Sequence, residues 1–308
     1  MDILLVAAGL VLLLAGGEAL VRGAVAVAGR LGVSPLLIGL TVVGFGTSMP
    51  ELVTSLQAAM IGSPGIAVGN VVGSNVANVL LILGVGALIT PIACARPTLL
   101  RDGAALVVAT LACVLAALAG GFGRPVGGVF LVLLALYLFV CIRQEDGAAG
   151  AGAEAGGWPF WLGALAALGG LALTVLGARL LVAGSVRLAA GAGIPETVIG
   201  LSVVAVGTSL PELVTTVTAA RRGQTDIAFG NVIGSNIYNI LGILGVTALV
   251  HPIEAPPGIV AFDLWVMAGT TLLLLAFAWT GRRLSRGEGA ALLVGYAVYL
   301  GALVVVEA

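Results

Sequence analysis

The chain has 308 residues, 60% of them hydrophobic and only 9% charged, with a mean hydropathy of +1.20. Soluble domains are nearer half apolar and a quarter charged, so this composition excludes a soluble globular protein and leaves little chain outside a bilayer. The net charge of −1, with every basic residue an arginine, gives no basis for nucleic-acid binding. Cys94, Cys113 and Cys141 are an odd set without metal-site spacing, and they read as small buried hydrophobes. The first apolar segment has no A-x-A-like cleavage site and is too long for a signal core, so it reads as a retained span.

In chain order, punctuation by polar residues, Pro and Gly divides the sequence into ten apolar segments. They cover about 3–31, 35–61, 65–89, 98–119, 125–142, 158–190, 195–220, 225–250, 258–280 and 288–306. The expected fold is an all-α integral membrane protein of ten transmembrane helices. Its halves are 1–142 and 158–308, and a flexible Gly/Ala-rich linker, 143–157, joins them.

The halves are repeats. A shift of 161 positions lays Leu36–Ile92 on Thr197–Ile253 without a gap and with more than half of the pairs identical. One repeat of half the chain is a transporter signature. Five spans per half is odd, so the halves must be inverted. An outside N-terminus puts Arg22, Arg30, Arg96, Arg101, Arg143, Arg221, Arg222, Arg282, Arg283 and Arg286 in the cytoplasm. It leaves only Arg124, Arg179 and Arg187 outside, a positive-inside bias that predicts both termini outside.

Two repeated stretches carry the polar chemistry: Gly46–Glu51 with Gly73–Asn78, and Gly207–Glu212 with Gly234–Asn239. Glu51 and Glu212 fall inside spans 2 and 7, where a charged side chain costs about 2.5–3.5 kcal/mol even on an insertion scale. No basic residue lies near either in sequence, so a bound cation is the natural compensation. Thr47 and Ser48 share a helix face with Glu51, as Ser74 does with Asn78 and Ser235 with Asn239. Pro50 and Pro211 break the helix and are expected to free carbonyls around Gly44–Thr47 and Ala205–Thr208. The inventory is all oxygen, without thiolate or imidazole, which suits a hard cation such as Ca²⁺. Two carboxylates are neutralised by one Ca²⁺, by two Na⁺, or by protons, and these occupancies exclude one another.

The paired G-T-S-x-P-E and G-S-N-x-x-N segments resemble the alpha-repeats of the sodium/calcium exchangers, of the prokaryotic ten-helix type, in the calcium/cation antiporter superfamily. The resemblance implies a midplane site between spans 2, 3, 7 and 8. Thr47, Ser48, Glu51, Ser74 and Asn78 come from one half; Thr208, Ser209, Glu212, Ser235 and Asn239 come from the other. Carbonyls of Gly44 and Ala205 join as Na⁺ ligands. It also implies that spans 1 and 6 slide past the core, with glycines at 16, 17, 23, 170, 177 and 184 offering a smooth surface. Where this chain has Asn239, the archaeal exchanger and the potassium-dependent members carry Asp. The missing carboxylate argues against potassium co-transport and sets the site's charge at −2.

Other polar residues have plainer readings. Thr54, Ser55, Thr215 and Thr216 read as packing groups, and His251 as a solvated loop residue. Asn75 and Asn236 either bond neighbouring backbone or touch an ion. Glu18 and Arg179 are repeat-equivalent and either pair or reach water separately. A serine hydrolase would need a positioned base that neither repeat supplies. The expectation is an inner-membrane antiporter, not an enzyme, exchanging Ca²⁺ for Na⁺ without a cofactor or an obligatory protein partner. A Ca²⁺/H⁺ antiporter and a passive cation channel are the rival readings.

Overall fold

A computed structural model describes residues 2–145, 158–191 and 205–306. Ten helical spans run through them. Span 1 is Asp2–Leu31 and span 2 is the bent pair Leu36–Thr47 and Met49–Met60. Spans 3, 4 and 5 are Pro64–Ile89, Arg96–Leu118 and Arg124–Glu145. Span 6 is Phe160–Gly191, and span 7 is described as Ala205–Thr208 and Leu210–Arg221. Spans 8, 9 and 10 are Thr225–Val250, Ile259–Gly281 and Arg286–Val306. Seven of these, and the bent pair taken as an eighth, are long and apolar enough by length and composition to cross a membrane. Most of the expected linker and the expected start of span 7 lie outside the described residues; 143–145 continue the helix of span 5.

Spans 3 and 8 form the centre, with 72% and 83% of their most apolar windows buried, against 28% for span 1. Large apolar side chains such as Leu115, Leu165 and Val298 face outward, as a lipid-facing surface requires. The halves interlock: span 5 packs on span 8, and span 10 packs on span 3. Two short antiparallel pairings not expected from the sequence close the ends. Strand β1 (Ile92–Ala93) pairs with β4 (Arg283–Leu284), and β2 (Gly121–Phe122) pairs with β3 (Ile253–Glu254). The connection after span 3 therefore meets the one after span 9, and not its repeat equivalent after span 8. That is the pairing an inverted repeat demands. Repeat-equivalent Gly62 and Gly223 end spans 2 and 7 at φ +76° and +69°, a left-handed cap that glycine adopts without a Cβ clash.

The glycines of spans 1 and 6 do something other than expected. They do not form a smooth face toward the core; they face each other. Gly9 lies on Gly177, Gly16 on Gly170 and Gly23 on Gly163, seven residues apart along an antiparallel seam. A Cβ built on Gly16 would stand 2.6 Å from the Thr174 backbone nitrogen, and one on Gly177 would stand 2.6 Å from the Leu13 nitrogen. Backbones this close leave no room for a side chain, which is how small residues hold transmembrane helices together when lipid supplies no hydrophobic drive. Gly17 is the exception, facing Val214 of span 7.

Glu18 does not pair with Arg179. Its carboxylate takes both Arg22, one turn on at 2.7 Å, and Arg222 at the end of span 7, while Arg179 is exposed. The equivalence of the two positions is a sequence fact, but Glu18 is reached first by nearer guanidiniums. Span 4 carries a second ionic group that the sequence reading passed over. Asp102 is fully buried, bonded by Arg101 at 2.6 Å and by Tyr137 of span 5 at 3.2 Å. The repeat places Asp263 equivalently in span 9, where Tyr299 of span 10 donates to it at 2.8 Å. The three cysteines are free and buried, and burial pushes the Cys94 thiol, outside the spans, up to about 12. His251 is exposed at the end of span 8 and bonds the Pro252 carbonyl.

Candidate ion-binding site

The repeated motifs break their helices in the same way. Ser48 stands between the two parts of span 2 at φ −83°, ψ 7°, and Ser209 stands in span 7 at φ −87°, ψ 7°. The two parts of span 2 meet at 43°. Pro50 and Pro211 then start the second helices, where a missing N–H costs nothing. Glu51 and Glu212 thereby fall in a first helical turn, and both are buried. In spans 3 and 8 the helix widens to a π-helical turn at Asn78–Leu83 and at Tyr238–Leu244, a departure frequent at functional sites. Each turn packs on the second helix of the opposite half's broken span.

The contacts cross between halves. Ser48 donates to Glu212 at 2.8 Å, and Ser209 donates to Glu51 at 3.2 Å. Ser209 also lies 3.4 Å from the Ser74 hydroxyl. Asn78 donates to the Asn236 side-chain oxygen at 2.9 Å, and Asn236 donates to the Asn75 carbonyl at 3.4 Å. Asn236 thus orients Asn78, while the Asn75 amide bonds the Met267 sulfur at 3.7 Å. One expectation is corrected: the Gly44 carbonyl is not freed. It accepts the Ser48 N–H at 3.3 Å and the Ser235 hydroxyl at 3.1 Å, because the break falls one turn later, at Ser48. The Thr47 hydroxyl bonds the Val43 and Gly44 carbonyls and the Asn231 side-chain oxygen. Ala205 and Thr208 bound the short turn that precedes Ser209.

Buried polar atoms are normally hydrogen-bonded, so the exceptions are informative. Among the described residues, Glu51 Oε2, Glu212 Oε2 and Asn78 Oδ1 are buried without a partner, as are both amide atoms of Asn239, the Asn75 Oδ1 and the hydroxyls of Thr215 and Thr247. Each carboxylate spends one oxygen on a serine of the other half and leaves the second unsatisfied. No group of three His, Cys, Asp or Glu side chains converges among the described residues. The unpartnered oxygens gathered here are carboxylate and amide oxygens, with hydroxyls beside them, a chemistry suited to hard cations.

Asn70 and Asn231 hold the glutamate helices in place, a role not read from the sequence. Asn70 donates to the Glu51 carbonyl at 3.0 Å and to Ser55 at 2.8 Å. Asn231 donates to the Glu212 carbonyl at 3.2 Å and to Thr216 at 2.9 Å. Each staples a glutamate's helix to the neighbouring span. The signal was present, since the shift of 161 matches the two asparagines, but they lie one turn before the G-S-N motif. Ser55 and Thr216 have the structural role expected of them. Asn231→Ala removes contacts to three buried groups, the Glu212 carbonyl, Thr216 and Thr47; Thr47 keeps its bonds to Val43 and Gly44, and each group left unsatisfied costs about 1–3 kcal/mol. The expected result is at least a tenfold rise in the half-saturating Ca²⁺ concentration for transport, with Asn70→Ala milder because it releases fewer groups.

The sequence profile described as "Sodium/calcium exchanger protein" matches residues 1–143 and 162–305. The chain belongs to the sodium/calcium exchanger family. It is 35% identical to the sodium/calcium exchanger MaX1 of Methanosarcina acetivorans, covering 97% of each chain. It is 37% identical to the putative antiporter CaxA of Alkalimonas amylolytica, covering 94% of this chain and 95% of the other. Among solved structures, the sodium-calcium exchanger NCX_Mj, soaked with Na⁺ and Ca²⁺, superposes with a TM-score of 0.85 at 33% identity over 98% of each chain. Membership in this exchanger family makes the protein a multi-pass membrane transporter that performs cation exchange by antiport.

Proposed function

We propose that this exchanger moves Ca²⁺ against Na⁺ through one site shared by both halves. The unpartnered second oxygens of Glu51 and Glu212 carry the reading. A buried carboxylate oxygen without a hydrogen bond is costly unless a cation meets it. The proposed shell consists of Glu51, Glu212, Asn78 and Asn239 with the hydroxyls of Thr47, Ser48, Ser74, Thr208, Ser209 and Ser235. Carbonyls of Gly44 and Ala205 are the proposed Na⁺ contacts. The Gly44 carbonyl already accepts the Ser48 N–H and the Thr47 and Ser235 hydroxyls, so Na⁺ there takes the place of a hydroxyl donor.

With a charge of −2, one Ca²⁺ or two Na⁺ neutralise the carboxylates, and both loads together leave an uncompensated positive charge in a low-dielectric site. Mutual exclusion of this kind couples the two ions. Spans 1 and 6, locked along their glycine seam, are proposed to move as one body across the core to switch access. The proposed placement is the inner membrane of a prokaryotic cell, with both termini outside. The names of MaX1 and NCX_Mj as sodium/calcium exchangers support the ion pair over a proton coupling. In proteoliposomes, an outward Na⁺ gradient is expected to drive ⁴⁵Ca²⁺ uptake. Uptake that ignores Na⁺ and follows a pH gradient would overturn the assignment, and Ca²⁺ flux without any counter-gradient would indicate a channel.

A further inference from the structure

A second polar cavity lies outside the ion site, between the first turn of span 4 and the end of span 9. It has a volume of about 360 Å³ and is lined by Arg96, Leu99, Trp279, Thr280 and Arg282. Neither Arg96 nor Arg282 has a carboxylate partner among the described residues. The nearby acids are already engaged. Asp102 is held by Arg101 at 2.6 Å; Glu288 accepts the Ser285 N–H and hydroxyl at 2.7 Å each through one oxygen, and its other oxygen lies 3.4 Å from the Thr280 hydroxyl at the cavity edge. Arg283 and Arg286 add further positive charge on the same connection.

The backbone is set to present these guanidiniums. Arg282 is the one described non-glycine residue at positive φ, 51°. It is held there by β4, which follows it, and by its carbonyl, which accepts the Cys94 N–H at 2.8 Å. A bulky residue in this region is strained, and strain of this kind clusters at ligand clamps. Arg96 sits over the Trp279 ring, 6.0 Å from its centroid, so the ring fixes one guanidinium while leaving its edge donors available.

We propose that this cavity binds the phosphate headgroup of an anionic phospholipid, with Arg96 and Arg282 holding the phosphate oxygens; the Thr280 hydroxyl is already spent on the Phe277 carbonyl and Glu288. Paired guanidiniums match phosphate geometry with charge-assisted bonds. The lipid source is favoured over free phosphate because Trp279 is 54% exposed and Leu100 is 55% exposed beside the cavity. An indole at a span end is the usual membrane-interface anchor.

The test uses the full chain purified in a neutral detergent. Phosphatidylglycerol, phosphatidylcholine and inorganic phosphate are added separately, followed by thermal unfolding and native mass spectrometry. Phosphatidylglycerol is expected to raise the melting temperature and remain bound, with the other two inactive. Arg282→Gly suits the positive φ, so basal stability is expected to hold while the affinity for phosphatidylglycerol falls about tenfold. Arg96→Gln is expected to show the same loss through the other guanidinium, and Arg124→Gln, on the opposite face, to leave the shift intact. A full phosphatidylglycerol shift in both Arg282→Gly and Arg96→Gln, or an equal shift with phosphatidylcholine, overturns the site. A shift produced by inorganic phosphate alone overturns the lipid assignment.

Discussion

Glu51→Gln and Glu212→Gln are each expected to abolish Na⁺-driven Ca²⁺ uptake while leaving the protein folded. The amide oxygen of glutamine still accepts the cross-half serine bond, from Ser209 in one case and from Ser48 in the other, so the packing survives. What is lost is one of the two negative charges that face the ion. Removing one partner from a buried charge arrangement costs about 3 kcal/mol or more, roughly 150-fold in affinity. A fall of at least about a hundredfold in Ca²⁺ transport is therefore expected from either single variant. The double variant is expected to be little worse, since one carboxylate already fails to balance a divalent cation. Transport retained in one single variant but not the other would mean that only one half binds.

The second large effect concerns the seam between spans 1 and 6. Gly170→Leu is expected to prevent stable assembly. The space that its Cβ would need is held by the Leu20 backbone nitrogen and, 2.7 Å away, by the Gly16 carbonyl. Neither is the movable end of a side chain. Gly169 is the control, one residue earlier on the same helix, where an added Cβ meets nothing within 4 Å. Gly170→Ala should cost about 1–3 kcal/mol, the usual penalty for overpacking, and Gly169→Ala close to nothing. Thermal unfolding in detergent distinguishes them, and equal melting temperatures would show that the seam is looser than described.

These two predictions differ in how far the sequence foreshadows them. The glutamates are legible because a carboxylate in an apolar segment has no neutral explanation, and the 161-residue shift repeats it with its proline and hydroxyls. The same shift, with an odd number of spans per half, dictates the inversion that the β1–β4 and β2–β3 pairings display. The partner of each glutamate is another matter. That Ser48 reaches Glu212 and not Glu51 follows from how the halves interlock, which no local pattern records. Glu18 illustrates the same limit, because Arg222 lies far away in sequence and is brought beside it only by the packing of span 1 on span 7. The glycines were visible but pointed the wrong way. Their seven-residue spacing fits a helix–helix seam as well as a sliding face, and only the partner's position decides. The asparagines at 70 and 231 show a motif edge drawn too tightly. Both repeat copies contain them, and their role is to bond main-chain carbonyls, a contact with no spacing rule in sequence.

The account rests on Ca²⁺ and Na⁺ competing for one site to which each half contributes a carboxylate. Equilibrium ⁴⁵Ca²⁺ binding to the purified protein, titrated with Na⁺, tests this most directly. One Ca²⁺ per chain is expected, fully displaced by Na⁺ and lost in Glu51→Gln and in Glu212→Gln alike. Ca²⁺ that stays bound at saturating Na⁺, or binding that survives either substitution, would contradict it.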